Sequence, residues 1–128
     1  MSDGTDGSSL RGRCVLIVED EFIVALDLWY LFDAEGCRVL GPAPRLDEAL
    51  RMLANGPRPD AVVLDVNLHG TRSAPVAAEL VARGIPFVVA TAYPSLPEPA
   101  FDGAPVLAKP YAMDQVRETV LQLLSASA

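Results

Sequence analysis

The chain has 128 residues, the length of one ordinary domain, which is enough to bury a core and too short for a second folded unit. Its formal net charge of −7 argues against nucleic acid and anionic membranes as partners, because their phosphates repel a negative surface. No apolar run approaches the roughly 18 residues of a membrane span, and the first residues lack the basic and apolar regions of a secretory signal. We therefore expect a cytoplasmic protein that binds another protein or a cation.

Short apolar runs alternate with segments of helical character along the chain. The apolar runs cover residues 14–18, 39–43, 61–64, 87–90 and 105–108, and the helical segments cover 21–35, 46–54, 74–83 and 112–124. Continuous rather than alternating hydrophobicity is typical of strands in a parallel sheet that is covered on both faces. Strands that alternate with helices imply right-handed crossovers, so we predict an α/β three-layer sandwich around a parallel five-stranded sheet.

Two stretches depart from this alternation. Residues 1–12 are predicted to be a flexible N-terminal tail, which leaves 13–125 as the folded domain. In the interval 92–104, Pro94, Pro97 and Pro99 stand too close together for a regular helix, because proline removes a backbone donor and collides with the preceding turn. We expect an irregular or shortened connection in place of the fourth helix.

Four apolar runs end on side chains suited to holding a metal-bound phosphoryl group. The first leads into Glu19 and Asp20, the third into Asp65, the fourth into Thr91 and the fifth into Lys109. Because sites in parallel α/β sheets form beyond the carboxyl ends of the strands, these residues are expected to converge. Three carboxylates without a companion His or Cys favour Mg²⁺, with Mn²⁺ as an alternative, over zinc.

Asp65 qualifies as a nucleophile within this group. A carboxylate can attack a phosphoryl donor and form an aspartyl phosphate once a metal and an ammonium group offset the negative charge. Lys109 can supply the ammonium group and Thr91 a hydroxyl donor. Each residue alone has an ordinary explanation, since acids at strand ends cap helices and lysines are solvated. Their joint order is what indicates phosphoryl chemistry.

The stretches V-L-I-V-E-D-E, V-V-L-D-V-N-L, F-V-V-A-T-A-Y and L-A-K-P-Y resemble the CheY-like receiver domain of bacterial two-component response regulators. The resemblance covers residues 13–124 and implies a flavodoxin-like (βα)5 fold. It implies that Asp65 is the phosphoacceptor and that Asp20 and Asp65 bind Mg²⁺ directly. Glu19 would act directly or through water, and the backbone carbonyl of Asn67 would be a further metal contact.

The same resemblance assigns roles to the later strand ends. It implies that Thr91 and Lys109 sense the phosphoryl group and that the bond from Lys109 to Pro110 is a cis peptide. In most receivers an aromatic residue on the fifth strand rotates on activation, but Leu107 stands in that place. We predict that Tyr93 is the substitute switch aromatic.

A narrower similarity concerns the run P-F-V-V-A-T-A-Y, together with D-V-N-L-H-G and the proline-rich stretch 94–105. It is similar to the receiver subgroup with a Phe-Ala-Thr-Gly-Tyr signature, whose fourth helix is atypical or missing. The chain departs from that signature at Val88-Val89 and at Ala92, where glycine is usual. The subgroup is associated with histidine kinases of general stress signalling.

The first predicted helix is apolar around most of its circumference. Between Phe22 and Asp33 only Asp27 and Asp33 are charged. Val24, Leu28, Leu31 and Phe32 can face the sheet, and the outward side is predicted to carry Ile23, Leu26, Trp29 and Tyr30. A contiguous patch with Trp and Tyr is typical of a contact surface, so we predict a site for a partner or a homodimer. Packing on the tail or on neighbouring helices is the alternative.

The expected function is that of a single-domain response regulator. It would accept a phosphoryl group from a sensor histidine kinase or a histidine phosphotransfer protein, and act on a downstream protein or drain phosphate. No effector domain follows the last helix unless the sequence is part of a longer protein. Enzymatic activity is not expected beyond intrinsic autophosphorylation and autodephosphorylation.

Two alternative functions remain. A degenerate receiver that serves as a constitutive docking or dimerisation module would normally have lost an acid or the lysine, and all are retained here. A small phosphatase with an aspartyl-phosphate intermediate would need a second acid where Asn67 stands, as well as a substrate pocket.

Overall fold

The computed structural model describes residues 9–93 and 95–127, which form seven strands, four α-helices and one short 3-10 turn. The strands are β1 (Cys14–Val18), β2 (Arg38–Ala43), β3 (Ala61–Asp65), β4 (Asn67–Leu68), β5 (Thr71–Arg72), β6 (Phe87–Thr91) and β7 (Val106–Ala108). The helices are α1 (Phe22–Ala34), α2 (Leu46–Asn55), α3 (Ala74–Arg83) and α4 (Met113–Ser127), and the 3-10 turn is Pro99–Phe101.

Five strands form one parallel sheet in the order β2-β1-β3-β6-β7. The sheet has an apolar cluster on each face. One cluster joins Leu16, Val18 and Val62 to residues of α2 and α3, and the other joins Val15 and Ile17 to residues of α1 and α4. The predicted flavodoxin-like three-layer sandwich is confirmed, and the continuous apolar runs are explained by burial on both faces.

The connection between β6 and β7 is irregular, as the prolines predict. Among the described residues of 92–104, only the 3-10 turn Pro99–Phe101 has regular structure, and Pro94 lies outside the described residues. Phe101 is buried in the cluster on the α2 and α3 face. Phe101 and the partly buried Leu96 therefore hold the connection, whose described residues form no full helix like those in the other crossovers.

The folded region begins before residue 13. Residues 1–8 of the predicted tail lie outside the described residues, but Leu10 is completely buried in the cluster between the sheet, α1 and α4. The Gly12 N–H donates to the Gly36 carbonyl at 2.9 Å. The prediction of a flexible tail as far as residue 12 is therefore wrong at its C-terminal end, because burial of the leucine side chain stabilises this segment against the core.

A short antiparallel hairpin, not predicted from the sequence, follows the third strand of the sheet. It pairs Asn67 with Arg72 and Leu68 with Thr71, around a turn at His69 and Gly70. Both turn residues have positive φ, 50° and 85°, as two-residue hairpin turns require. This β4–β5 hairpin starts two residues after Asp65 and lies beside the carboxyl end of the sheet.

The outward face of α1 is only partly as predicted. Ile23, Leu26 and Tyr30 are exposed, and Phe22, which was not in the predicted patch, is 74% exposed. Trp29 is half-buried and packs against the cluster on the α1 and α4 face, so it contributes less of its surface than predicted. Within 9–93 and 95–127, no helix is long and apolar enough to cross a membrane.

Gly41 allows β2 to approach β1 closely. The pairing of the two strands shifts between Leu16 and Val18, and Gly41 adopts a φ of +88° beside this irregularity. A Cβ atom on Gly41 would lie 2.6 Å from the Ile17 carbonyl oxygen and 2.9 Å from the Ala43 nitrogen. Both groups belong to the backbone, so neither can move aside without disturbing the sheet.

We predict that Gly41→Ala strongly destabilises the fold. The left-handed backbone costs about 1–2 kcal/mol with a Cβ atom, and the backbone clash adds about 1–3 kcal/mol. Gly103→Ala is the matched control, because Gly103 has a φ of +82° with nothing within 4 Å of its Cβ position. Urea unfolding followed by circular dichroism measures both variants. Equal losses of stability would show that the close approach at Gly41 is unimportant.

Candidate functional site

The five residues predicted to form the phosphoryl site lie at the carboxyl edge of the parallel sheet. Glu19 and Asp20 directly follow β1, while Asp65 and Thr91 are the last residues of β3 and β6. Lys109 directly follows β7. Because β1, β3, β6 and β7 are consecutive in the sheet, their ends come together in space.

Three carboxylates meet at this edge. Glu19 and Asp65 are buried, with 2% and 4% exposure, and Asp20 is partly exposed. Each offers one oxygen, and these three oxygens lie within 4.8 Å of one another. Like charges at such a separation repel, so the group is suited to a bound cation. The cluster could hold a metal ion.

Lys109 supplies positive charge to the group. Its Nζ lies 2.8 Å from Asp65 Oδ2 and 3.6 Å from Glu19 Oε1. Burial lowers the pKa of the Lys109 ammonium, but the hydrogen bond and the charge of Asp65 outweigh this effect and raise that pKa overall. Lys109 therefore carries its charge at neutral pH. One ammonium group cannot balance three ionised carboxylates.

The pKa values of the two acids that follow β1 are shifted in opposite directions. Burial, followed by the charge of Asp65, raises the pKa of Glu19 to about 8, although the Glu21 N–H donates to Glu19 Oε2 at 3.0 Å. Burial also acts to raise the pKa of Asp20, but the hydrogen bond from the His69 N–H, at 2.8 Å, outweighs it and the pKa is lowered. A bound cation would favour the ionised form of both acids.

The β4–β5 hairpin holds Asp65 and Asp20 through its backbone. The Asn67 N–H donates to Asp65 Oδ1 at 3.1 Å, and the His69 N–H reaches Asp20. The buried Ser73 hydroxyl donates to the Asp65 carbonyl at 2.6 Å. Sequence reasoning missed the roles of His69 and Ser73. The metal contact of the Asn67 carbonyl stays a prediction.

Thr91 joins the last two strands and the loop that follows β6. Thr91 is buried, its carbonyl accepts the Lys109 N–H at 2.8 Å, and its Oγ1 accepts the Tyr93 N–H at 2.9 Å. The Lys109–Pro110 peptide bond is cis. Tyr93 is 45% exposed, and the Arg72 guanidinium lies 4.9 Å from the centre of its ring. A role for Tyr93 as a switch remains a prediction.

The chain is similar in sequence to two regulatory proteins. It is 31% identical over 118 residues to the phyllosphere-induced regulator PhyR of Methylorubrum extorquens, a match that covers 86% of this chain and 43% of that protein. It is 36% identical over 90 residues to the transcriptional regulatory protein PdtaR of Mycobacterium tuberculosis, which covers 70% of this chain and 43% of that protein. The chain thus spans less than half the length of these relatives. No family model matches it.

Solved structures share the fold over nearly the whole chain. The response regulator PhyR from Brucella abortus superposes with a TM-score of 0.79 at 27% identity, over 94% of this chain and 51% of that one. A signal receiver domain of a modulated diguanylate cyclase from Desulfovibrio desulfuricans G20 gives 0.77 at 27% identity, over 91% and 96%. SdrG from Sphingomonas melonis Fr1 gives 0.75 at 39% identity, over 91% and 98%.

These similarities extend over the strands that carry Glu19, Asp20, Asp65, Thr91 and Lys109. The order of the sheet and the place of the acids agree with the resemblance seen in the sequence. The chain therefore belongs to the CheY-like receiver domains of two-component response regulators.

Proposed function

We propose that this receiver domain accepts a phosphoryl group on Asp65 from a phosphohistidine of a sensor histidine kinase or histidine phosphotransfer protein. The observation that carries the proposal is the contact of 2.8 Å between Asp65 and Lys109, inside the cluster with Glu19 and Asp20. A buried carboxylate beside an ammonium group and two further acids is what aspartyl phosphorylation needs. The protein acts as a phosphoacceptor and is not an enzyme with a separate substrate.

In the transfer, an Asp65 carboxylate oxygen forms a bond to phosphorus while the phosphorus–nitrogen bond to the donor histidine breaks. The electron pair of that bond stays on the imidazole nitrogen. Lys109 offsets the charge that accumulates on the phosphoryl oxygens, and the Asn67 N–H keeps Asp65 oriented. The buried Thr91 hydroxyl is the nearby neutral donor for a phosphoryl oxygen.

The acidic cluster fits Mg²⁺. Its donors are oxygens only, they lie within 4.8 Å of one another, and Asp20 is open enough to leave room for water. The ligands would be Asp20 and Asp65, with Glu19 directly or through water and the Asn67 carbonyl. Bound Mg²⁺ would neutralise negative charge and orient phosphoryl oxygens. Mn²⁺ suits the same donors.

Two other functions have less support. A constitutive docking module does not need a lysine held on the phosphoacceptor, yet Lys109 contacts both Asp65 and Glu19. A phosphatase with an aspartyl intermediate needs an acid two residues after the nucleophile. Asn67 cannot serve as that acid, and its N–H is used to hold Asp65. Phosphoryl acceptance and signalling account for both contacts.

The exposed part of α1 is the proposed contact surface for the phosphodonor protein. We define the α1 surface as Phe22, Ile23, Leu26 and Tyr30, with Trp29 at its base. Helix α1 starts three residues after Glu19, so this apolar surface borders the acidic cluster. A donor that reaches Asp65 can cover it and exclude water from the transfer. The phosphorylated domain then binds a downstream protein, or it serves as a sink that removes phosphoryl groups from the donor.

We predict that acetyl phosphate with Mg²⁺ adds one phosphoryl group to the parent protein and none to Asp65→Asn. Asp60→Asn is the matched control, because Asp60 lies just before the first residue of β3, at the end of the sheet away from the acidic cluster, and its carboxylate accepts the Cys14 N–H. Intact-mass spectrometry measures the added group. Equal labelling of the parent and Asp65→Asn would overturn the proposed function.

Mg²⁺ is predicted to stabilise the parent protein by about 2.7 kcal/mol when its concentration is 100 times its dissociation constant. Asp20→Asn should lose most of this stabilisation, because it removes one ionised ligand from the cluster. Its metal-free form should unfold somewhat more easily than the parent, because the lowered pKa of Asp20 means that the folded state favours its ionised carboxylate. Thermal unfolding with and without Mg²⁺ measures the difference, and Asp60→Asn should respond as the parent does.

We expect the parent to remain a monomer over a dilution series, because like net charges oppose self-association and the α1 surface serves a different protein. Light scattering of the parent and of Ile23→Glu measures this. Ile23 is 67% exposed, so the substitution alters the surface without entering the core. A parent mass that falls on dilution, together with a monomeric Ile23→Glu, would assign the surface to a second copy of the chain.

A further inference from the structure

Arg72 makes two contacts that nothing in the sequence analysis predicted. Its Nε and Nη2 lie 2.6 and 2.7 Å from the two carboxylate oxygens of Glu98. The same guanidinium lies 4.9 Å from the centre of the Tyr93 ring. We call Arg72, Tyr93 and Glu98 the Arg72 clamp. It joins the β4–β5 hairpin to the irregular connection between β6 and β7.

The geometry of the clamp distinguishes it from an ordinary surface ion pair. Both side chains are partly exposed, with 36% exposure for Arg72 and 23% for Glu98, so it is the arrangement of the contact that sets it apart. The contact between Arg72 and Glu98 is bidentate, which fixes the plane of the guanidinium, and the Tyr93 ring packs against one face of that plane. The hydrogen bond between them raises the pKa of Arg72 and lowers the pKa of Glu98, so both stay charged at neutral pH.

Both sides of the clamp lead back to the phosphoryl site. On the hairpin side, Arg72 pairs with Asn67, whose N–H donates to Asp65 Oδ1. On the other side, the Tyr93 N–H binds the hydroxyl of Thr91. Between Tyr93 and the buried Phe101, the described residues contain little regular structure. The clamp therefore links the loop after Thr91 to the β4–β5 hairpin, which binds Asp65. A movement of the Thr91 hydroxyl would reach the clamp through Tyr93.

We propose that the Arg72 clamp restrains the connection between β6 and β7 in its unphosphorylated arrangement and thereby sets how readily the domain is activated. The inference rests on the proposed function. A phosphoryl group on Asp65 draws the Thr91 hydroxyl toward it, away from the Tyr93 N–H. The Tyr93 ring then leaves the guanidinium, and the connection can shift with it only when Glu98 also separates from Arg72.

The clamp acts through its preference for one of two arrangements. A phosphoryl mimic that binds the activated arrangement must overcome the contacts of the clamp. By linkage, removal of those contacts increases the affinity for the mimic by the same factor by which they favoured the resting arrangement. A side chain that only stabilised the fold would leave this affinity unchanged.

The experiment measures the affinity of the full chain for beryllofluoride with Mg²⁺, by amide chemical shifts, in the parent, Arg72→Gln and Glu98→Gln. We expect binding that is at least about fivefold tighter for Arg72→Gln. The gain should be smaller for Glu98→Gln, which keeps the guanidinium on Tyr93. Without the mimic, the amides of 95–104 should exchange faster with solvent in both variants. Arg72→Lys retains the charge and gives the same comparison where Arg72→Gln does not fold.

Arg83→Gln is the matched control, because it removes the same charge and another arginine–glutamate pair, with Glu79 on α3. Its affinity for beryllofluoride should equal that of the parent. A folded Arg72→Gln that binds the mimic no more tightly than the parent overturns the role of the clamp and leaves the proposed function standing. A parent that does not bind the mimic overturns the proposed function, and the regulatory role of the clamp with it.

Discussion

The repulsion among three carboxylates at one sheet edge is the constraint on which the rest of the structure depends. Glu19 and Asp65 are almost fully buried, where an unbalanced negative charge is strongly unfavourable. Lys109 balances part of the charge, and backbone N–H groups orient the oxygens. Burial, together with the negative charge of Asp65, raises the pKa of Glu19 to about 8. A site that is unfavourable when empty is prepared to bind a cation and, with it, a phosphoryl group.

The fold maintains this arrangement because its rigid parts lie beneath the site. β3 is buried along its whole length and pairs with strands on both sides, so Asp65 at its end has a fixed position. Gly41 lets β2 approach β1 closely just before Glu19, whose N–H donates to the Ala43 carbonyl at 3.1 Å. Ser73 ties the start of α3 to the Asp65 carbonyl. The backbone positions of the acids are thus set before any ligand binds.

The sequence was sufficient to predict the sheet and its acidic edge, because both follow from composition at fixed places along the chain. Strands buried on both faces must be apolar, and the residues after them must meet at one edge. Contacts between loops do not follow from a pattern of apolar residues along the sequence. The pairing of Arg72 with Glu98 joins residues 26 positions apart, and neither neighbourhood signals the other. The burial of Leu10 was missed for a related reason, since one leucine beside a polar stretch forms no pattern.

The two sides of the site differ in how freely they can respond. On the side of α1, Glu19 and Asp20 lead directly into a helix whose inner residues are buried. On the side of β6, Thr91 leads into a connection that the prolines keep from forming a full helix. Partly buried Leu96, the Arg72 clamp and buried Phe101 hold this connection. A change in the position of the Thr91 hydroxyl can therefore be absorbed between Thr91 and Phe101 once the clamp is released. Because the prolines prevent a regular fourth helix, this segment can change its conformation more easily than the helical crossovers. We propose that phosphorylation of Asp65 changes the surface of this segment and that another protein binds the changed surface.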